Sequence, residues 1–371
     1  LDKLEPMDIP VIICGGGVLG LLVAHELRNC YPDLEFALLE KEGSLGDHTS
    51  GRNSGVLHAG IYYPTESLKR ELCIEGNQLW RKIGADHNIT INTCGKYVIA
   101  SSENELDALK NVFEQAMLNK VRGISKITDK DKEKLSPFCH VADGFFSETT
   151  AVLSPSEAIS RLSYSLERKG SLLLRNHKVL SVKKQGDLFH LETNQGPLKS
   201  KYFFNLSGGH GPILRQGLGL HDIESVFVKG NYLKLNKSFY NESLIYPVPP
   251  SDLKGLGVHT SFDLDGIIRF GPDTESTSEA EDYEQGEGVI DQMFPAIEKI
   301  FKGITKEDLS LDYAGVRPKI LKEKKPFNDF IIQGPSYHGI LGYFETLGIE
   351  SPGFTAAPAI AKRLVSLLKI V

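Results

Sequence analysis

The stretch VIICGGGVLG, Val11 to Gly20, decides how this chain folds. Four apolar residues of strand character, Val11-Ile12-Ile13-Cys14, run into a turn where Gly15, Gly17 and Gly20 keep the spacing G-x-G-x-x-G. The three glycines serve different ends: a tight turn at Gly15, close approach of backbone to a diphosphate at Gly17, close packing of helix on strand at Gly20. Leu21, Leu22, Ala24 and Leu27 continue as one face of a helix, whose opening amides and dipole favour an anion. A second apolar run, Phe36-Ala37-Leu38-Leu39, ends in Glu40, 20 residues after Gly20, where an acid can hold the ribose hydroxyls of an adenosine. Strand, glycine turn, helix, strand and acid together predict a dinucleotide cradle. The bland alternative is an α/β turn that holds nothing.

Composition sets the outer limits. A chain of 371 residues exceeds the usual size of one core, so two domains or one large composite are expected. With 40% hydrophobic and 24% charged residues it reads as an ordinary globular protein. A formal charge of −6 gives no electrostatic case for nucleic acid. No apolar run approaches the roughly 18 residues that span a bilayer. The opening LDKLEPMDIP is acidic and shows no hydrophobic region of signal-peptide type. The five cysteines (Cys14, Cys30, Cys73, Cys94, Cys139) form no C-x-x-C pair. A cytoplasmic or other reducing compartment is expected, with neither a disulfide framework nor a metal site.

Past Glu40 comes the densest stretch, HTSGRNSGVLHAGIYYP, His48 to Pro64. Its glycines, hydroxyls and amides suit a solvated loop, but Val56, Leu57, Ile61, Tyr62 and Tyr63 between them suit a loop pressed against a ligand. Leu68 to about Ile83 is helical, Tyr97-Val98-Ile99 reads as strand, and Glu103 to Leu118 is an amphipathic helix. RGISKITDKDKEKLSP reads as a solvated connector. Ser154-Pro155-Ser156-Glu157 predicts a helix start with a capping box, and Gly170 its stop. Short strands lead to Ser207-Gly208-Gly209-His210-Gly211, a second glycine-rich strand exit without the dinucleotide register. From about 217 to 310 the βαβ rhythm gives way to antiparallel strands, including VFVKGNYLKLN, LIYPVPP, GLGVHTSFDLDG and IIRFGPD. AGVRPKI then leads to a final strand, loop and helix. Ile360, Leu364, Leu367 and Leu368 make that helix amphipathic: peripheral membrane contact is one reading, core packing the stronger one.

These segments together resemble the FAD-dependent oxidoreductases of the D-amino-acid-oxidase type. That superfamily pairs an N-terminal G-x-G-x-x-G with an S-x-R-N-S-G segment and closes with a G-x-x-S-P-G-x-T-like turn, here HTSGRNSG and LGIESPGFTAAPAIA. Within it the pattern is most similar to L-2-hydroxyglutarate dehydrogenases and oxidases, through RNSGVLHAGIYYP, LIYPVP, GLGVH, AGVRPK and HG…GIESPG. NLSGGHG and Phe344-Glu345-Thr346 depart from that pattern. The resemblance implies an α/β fold: a Rossmann-like FAD-binding domain of the glutathione-reductase type with an inserted α+β, antiparallel-sheet substrate domain. Residues 1–85, 150–215 and 312–371 would form the first, 86–149 and 216–311 the second. FAD would lie extended, with Gly15, Gly17, Val18, Leu19, Gly20 and Ser50 at the pyrophosphate and Glu40 and Lys41 at the adenosine ribose. Val179 would offer its backbone to adenine. Asn53, Ser54, Gly55, His58, Gly348, Ser351, Pro352, Gly353 and Phe354 would surround the flavin ring, with Thr49, Arg52, Ser207, Gly208 and Ile349 as further contacts.

Only one full dinucleotide motif is present, so the reducing equivalents are expected from the substrate, an L-2-hydroxy acid giving hydride to flavin N5. His259, in GVHTS, is the first choice for the base that takes the hydroxyl proton. His58 is its competitor, or else tunes the flavin or attaches it. Arg317, in AGVRPK, suits a carboxylate clamp. Lys319, Arg52 and Arg269 are candidates for a second carboxylate, and Tyr62, Tyr246 and Thr260 for neutral hydrogen bonds. L-2-hydroxyglutarate oxidised to 2-oxoglutarate is the expected reaction, with oxygen, a quinone or an electron-transfer protein as acceptor. An amino-acid or amine oxidase and a non-catalytic flavin-binding subunit are the alternatives.

Overall fold

A computed structural model describes residues 7–249 and 257–369. Pro250 of LIYPVPP and Gly255 and Leu256 of GLGVH lie outside the described residues. The Val11–Cys14 strand is buried along its whole length, as a central strand of a parallel sheet covered on both faces should be. It sits in a six-stranded sheet whose order runs Leu172–Leu174, Phe36–Leu39, Val11–Cys14, Tyr202–Asn205, Tyr343–Leu347, Ile331–Gln333. All neighbours are parallel except the last pair. The chain leaves Val11–Cys14 in one direction for Phe36–Leu39, and Tyr202–Asn205 fills the other side. That reversal opens a crevice at the strand ends beside Gly15, the place where such sheets bind ligands.

The Val18–Cys30 helix covers one face of this sheet and packs against the last helix, Gly353–Ser366, which also packs on Leu68–His87. Ile360, Leu364 and Leu368 are buried there, so the apolar face of the C-terminal helix is a core face. Among the described residues no helix is long and apolar enough to cross a membrane.

The second half of the molecule is built on antiparallel pairing. Ile223–Leu235 lies between Ile268–Gly271 and Leu309–Lys322, with His259–Phe262 at the outer edge beyond Ile268–Gly271. A further sheet orders Leu244–Pro247, Lys96–Ala100, Asp143–Ser147 and Ile124–Lys126, its first pair parallel and the others antiparallel, so residues from before and after the intervening FAD-side segment share one sheet. Leu309–Lys322 pairs along most of its length with Ile223–Leu235. Residues 312–322, expected with the dinucleotide sheet, are therefore paired with the substrate-side sheet. The pairing is decided by cross-strand partners that a segment's own pattern does not reveal.

Two local expectations need correction. The lysine-rich stretch read as a connector contains the strand Ile124–Lys126 and the helix Asp129–Leu135. Thr128 and Asp131 close a capping box on that helix, and Leu135 anchors it with full burial. Ser154 does cap its helix through the Glu157 amide at 3.2 Å, but the Glu157 carboxylate accepts from the Thr90 amide instead of turning back.

Candidate active site

The glycine turn is sterically committed. Gly15 has φ +120°, and a Cβ there would stand 2.3 Å from the Leu206 carbonyl oxygen on the neighbouring strand exit. A Cβ on Gly20 would stand 1.9 Å from the Gly15 oxygen, so helix and turn touch only because both residues are glycine. Gly17, Val18, Leu19 and Gly20 open onto a cavity of about 1090 Å³, just above the roughly 300–1,000 Å³ typical of small-molecule sites. Ser50 accepts from the Val18 amide at 3.0 Å. Glu40 is buried, its carboxylate accepting from the amides of Gly16 (2.8 Å) and Glu42 (2.9 Å). The acid at the second strand is thus oriented by the backbone of the glycine turn.

The dense loop owes its shape to its amide. Asn53 donates to the Thr49 and Ser50 carbonyls and accepts from the Gly55 amide. Thr49 donates to the Val316 carbonyl and Tyr313 to the Asn53 carbonyl, which ties the loop to the Leu309–Lys322 strand. Thr49, Ser50, Arg52, Asn53, Ser54 and His58 line the cavity. From the far end of the chain come Ile349, Ser351, Pro352, Gly353 and Phe354, and Gly208 from the second strand exit.

His259, Arg317, His58, Tyr62 and Lys319 line the same cavity. His259 Nδ1 lies 2.8 Å from the Gly257 carbonyl oxygen. A carbonyl can only accept, so Nδ1 carries the proton and the lone pair is on Nε2. Burial first, then the Lys96 and Arg317 charges, push the imidazole down to about 3 against the pull of Gly257. His58 is also pushed down to about 3, by burial and then by Lys96 and His259. Both rings are therefore neutral near pH 7. Arg317 is steadied by one end only: Nη2 donates to the Asp273 carbonyl at 3.0 Å, while the buried Nε has no partner.

Several expected contacts go elsewhere. Arg269 is held by Asp263 at 2.8 Å and by Asp312, and does not line the cavity, because its strand points it into an acidic pair. Thr260 is spent on the backbone of Ile245, whose amide donates to its hydroxyl at 2.8 Å; it stitches one sheet to the other. Tyr246 is fully buried and off the cavity wall, stacked on His259 with ring centroids 3.8 Å apart. Lys41 pairs with Glu42 at 3.1 Å and with Glu281. Val179, Ser207, Gly15, Gly55 and Gly348 lie off the cavity wall. Gly55 and Gly348 take positive φ of +67° and +68° and shape the turns that bring their neighbours in. Lys319 does line the cavity, but its ammonium is bonded to Glu350 at 3.0 Å.

Sequence reasoning missed Glu350, Lys69, Tyr63 and Thr355, all on the wall, and Lys96 beside it. Lys69, early in its helix, is buried and donates to Glu350 at 2.7 Å. Glu350 sat in view inside the closing turn. Lys96 opens an otherwise apolar strand, KYVIA, where a lysine ordinarily reads as a strand end in water; a charge adjoining a fully apolar run was the available signal.

A six-stranded sheet with a glycine-turn crevice, joined to an antiparallel sheet across one cavity, defines a two-part nucleotide-cofactor oxidoreductase architecture. The family model for FAD dependent oxidoreductases matches residues 10–367, and the chain belongs to that family. It is 29% identical over 404 aligned positions to the mitochondrial L-2-hydroxyglutarate dehydrogenase of Arabidopsis thaliana, covering 96% of this chain and 83% of that protein. Among solved structures, the dithionite-reduced L-alpha-glycerophosphate oxidase from Mycoplasma pneumoniae with FAD bound superposes with TM-score 0.88 at 26% identity, covering 97% of this chain and 94% of that one. Glycine oxidase from Geobacillus kaustophilus shares the fold, with TM-score 0.81 at 17% identity over 97% and 94% of the two chains. FAD is the cofactor, and the cradle fits it. The helix start at Val18–Gly20 faces the cavity, and a Cβ on Gly17 would crowd Ser50 Oγ at 2.7 Å.

Proposed function

We propose that this enzyme oxidises L-2-hydroxyglutarate to 2-oxoglutarate. The observation that carries the reading is the pairing, on one cavity wall, of His259 with its Nε2 lone pair free and Arg317 with unspent N–H groups. A 2-hydroxy acid needs both: a neutral base for the hydroxyl proton and a planar cation for the adjoining carboxylate. Bound FAD supplies the two-electron acceptor for the α-hydrogen. His259 Nε2 takes the hydroxyl proton as the carbonyl forms. The Gly257 carbonyl stays on Nδ1–H and steadies the imidazolium that results. Arg317, anchored through the Asp273 carbonyl, fixes the C1 carboxylate so that the hydroxyl meets the base. In this reading the cofactor would contact Gly17 to Gly20, Ser50, Asn53, Ser54 and the Ile349 to Phe354 turn, and an external electron acceptor would complete the cycle.

Anaerobic addition of L-2-hydroxyglutarate to the holoenzyme should bleach the flavin absorbance within the turnover time. Bleaching by amino acids or amines, with none by any 2-hydroxy acid, would sink the reading.

A further inference from the structure

Lys96 stands out among the buried groups. It is 1% exposed, and among the described residues its ammonium has no carboxylate within 4.0 Å and no hydrogen bond. An unpaired buried ammonium is costly and is ordinarily compensated. Its neighbours are two phenol rings, with Nζ 4.8 Å from the Tyr62 centroid and 4.4 Å from the Tyr246 centroid. Both phenol hydroxyls are themselves buried without a hydrogen-bond partner. Of these three groups Tyr62 lines the cavity with His58 and His259, and Lys96 and Tyr246 lie directly against that wall, Lys96 over the Tyr62 ring and Tyr246 on the His259 ring.

The other cations here are spoken for. Lys69 and Lys319 share Glu350, Arg269 holds two aspartates, and Arg52 donates to the Asp47 carbonyl at 3.2 Å. A substrate with one carboxylate needs only Arg317. A substrate with two needs a second unpaired cation, and Lys96 is that cation.

We propose that Lys96, Tyr62 and Tyr246 form the subsite that receives the distal carboxylate of a 2-hydroxy dicarboxylic acid, and so select two-carboxylate over one-carboxylate substrates. The inference rests on the substrate reading above and adds to it the residues that set chain-end chemistry. A carboxylate offers about four lone-pair sites, enough for one ammonium and two phenols, and its arrival supplies the counter-charge that Lys96 lacks.

A second consequence follows from burial, which pushes the Lys96 ammonium down to about 7. The titratable groups facing it are Tyr62, Tyr246, Cys73, Cys94, His58 and His259. The thiols and phenols are all pushed up and the histidines pushed down to about 3, so none of these competes for a proton near neutrality. Only the protonated ammonium binds an anion strongly, so dicarboxylate binding weakens as pH rises through about 7.

The test is the affinity of the oxidised holoenzyme for 2-oxoglutarate and for 2-oxopentanoate, which ends in methyl instead of carboxylate, followed by perturbation of the flavin spectrum. The wild type should prefer the dicarboxylate. Lys96→Met should weaken 2-oxoglutarate by about 100-fold or more, the scale of losing one partner of a buried charge pair. It should leave 2-oxopentanoate within about threefold and abolish the pH dependence near 7. Tyr246→Phe removes a single hydroxyl, leaves the ring stack intact, and should cost 2-oxoglutarate alone about tenfold; it decides the matter if Lys96→Met does not fold. A preference for the dicarboxylate that survives both substitutions, or an equal loss for both ligands, overturns the subsite and leaves the substrate reading standing. No preference in the wild type overturns the two together.

Discussion

At the scale of single residues, the Gly257 carbonyl does for His259 what a carboxylate does in other histidine bases. It fixes the tautomer and the ring plane, at 2.8 Å, without adding a negative charge. Burial, and then the Lys96 and Arg317 charges, keep the base neutral well below pH 7 against the pull of Gly257, so His259 should contribute no acid limb near its ordinary value of about 6.5 to kcat/KM. His259→Ala should lower kcat by about 10²–10⁴-fold, the usual worth of a positioned base, with flavin content unchanged. A variant that lost flavin and activity together would show a packing role instead. The motif GVHTS made this residue legible because its neighbours match a family pattern. Of Lys96 only a charge opening an apolar run was legible in CGKYVIA; that its ammonium lies against two phenol rings was not. Arg269 misled for the converse reason: its two acidic partners, at 263 and 312, come from a turn and a strand that meet it only after folding.

Elements meet at Glu350. Its carboxylate takes Lys69 from the Leu68–His87 helix and Lys319 from the Leu309–Lys322 strand, and it sits in the turn that starts the last helix. Burial alone would raise this carboxyl; the two ammonium groups outweigh it and hold it below its ordinary value. Glu350→Gln should destabilise the protein by about 3–5 kcal/mol, because Lys69 would be left buried without its counter-charge. Lys319→Met should cost only about 0–1 kcal/mol, since that side chain is 40% exposed. Denaturant midpoints of the two variants, measured with FAD at fixed excess, check the contrast; equal losses would contradict it. The elements themselves were mostly legible. The opening strand, its helix, the capped start at Ser154 and the closing strand and helix all follow from period and punctuation. The Asp129–Leu135 helix escaped because one buried leucine and a capping box hold it, and neither gives a hydrophobic period.

For the whole molecule, the histidines set how stability responds to acid. His25, fully inside and bonded to the Leu162 carbonyl at 2.9 Å, is pushed down to about 4 by burial; His58 and His259 lie lower still, at about 3. In the unfolded chain each would bind a proton near pH 6.5. Between that pH and the folded values the unfolded state holds more protons, so stability falls as pH falls; above 6.5 these groups add no slope. Linkage gives about 1.4 kcal/mol per pH unit for each neutral histidine, hence about 4 kcal/mol per unit for the three between pH 6 and 4.5. Sequence could count eleven histidines but could not tell which are interred, because burial depends on how the two sheets and the last helix close over them. Urea midpoints of the FAD-free protein at pH 7.5, 6 and 5 should therefore fall over both intervals, and more steeply per pH unit over the second. Without FAD, the drop cannot come from weakened cofactor binding, which would shift the folded state by mass action. His338 is likewise pushed down to about 4 by burial and then by the Arg215 charge, so His25→Leu, remote from the cavity, should remove about one quarter of the acid slope while leaving flavin binding intact. If that variant keeps the full slope, the buried histidines are not its source.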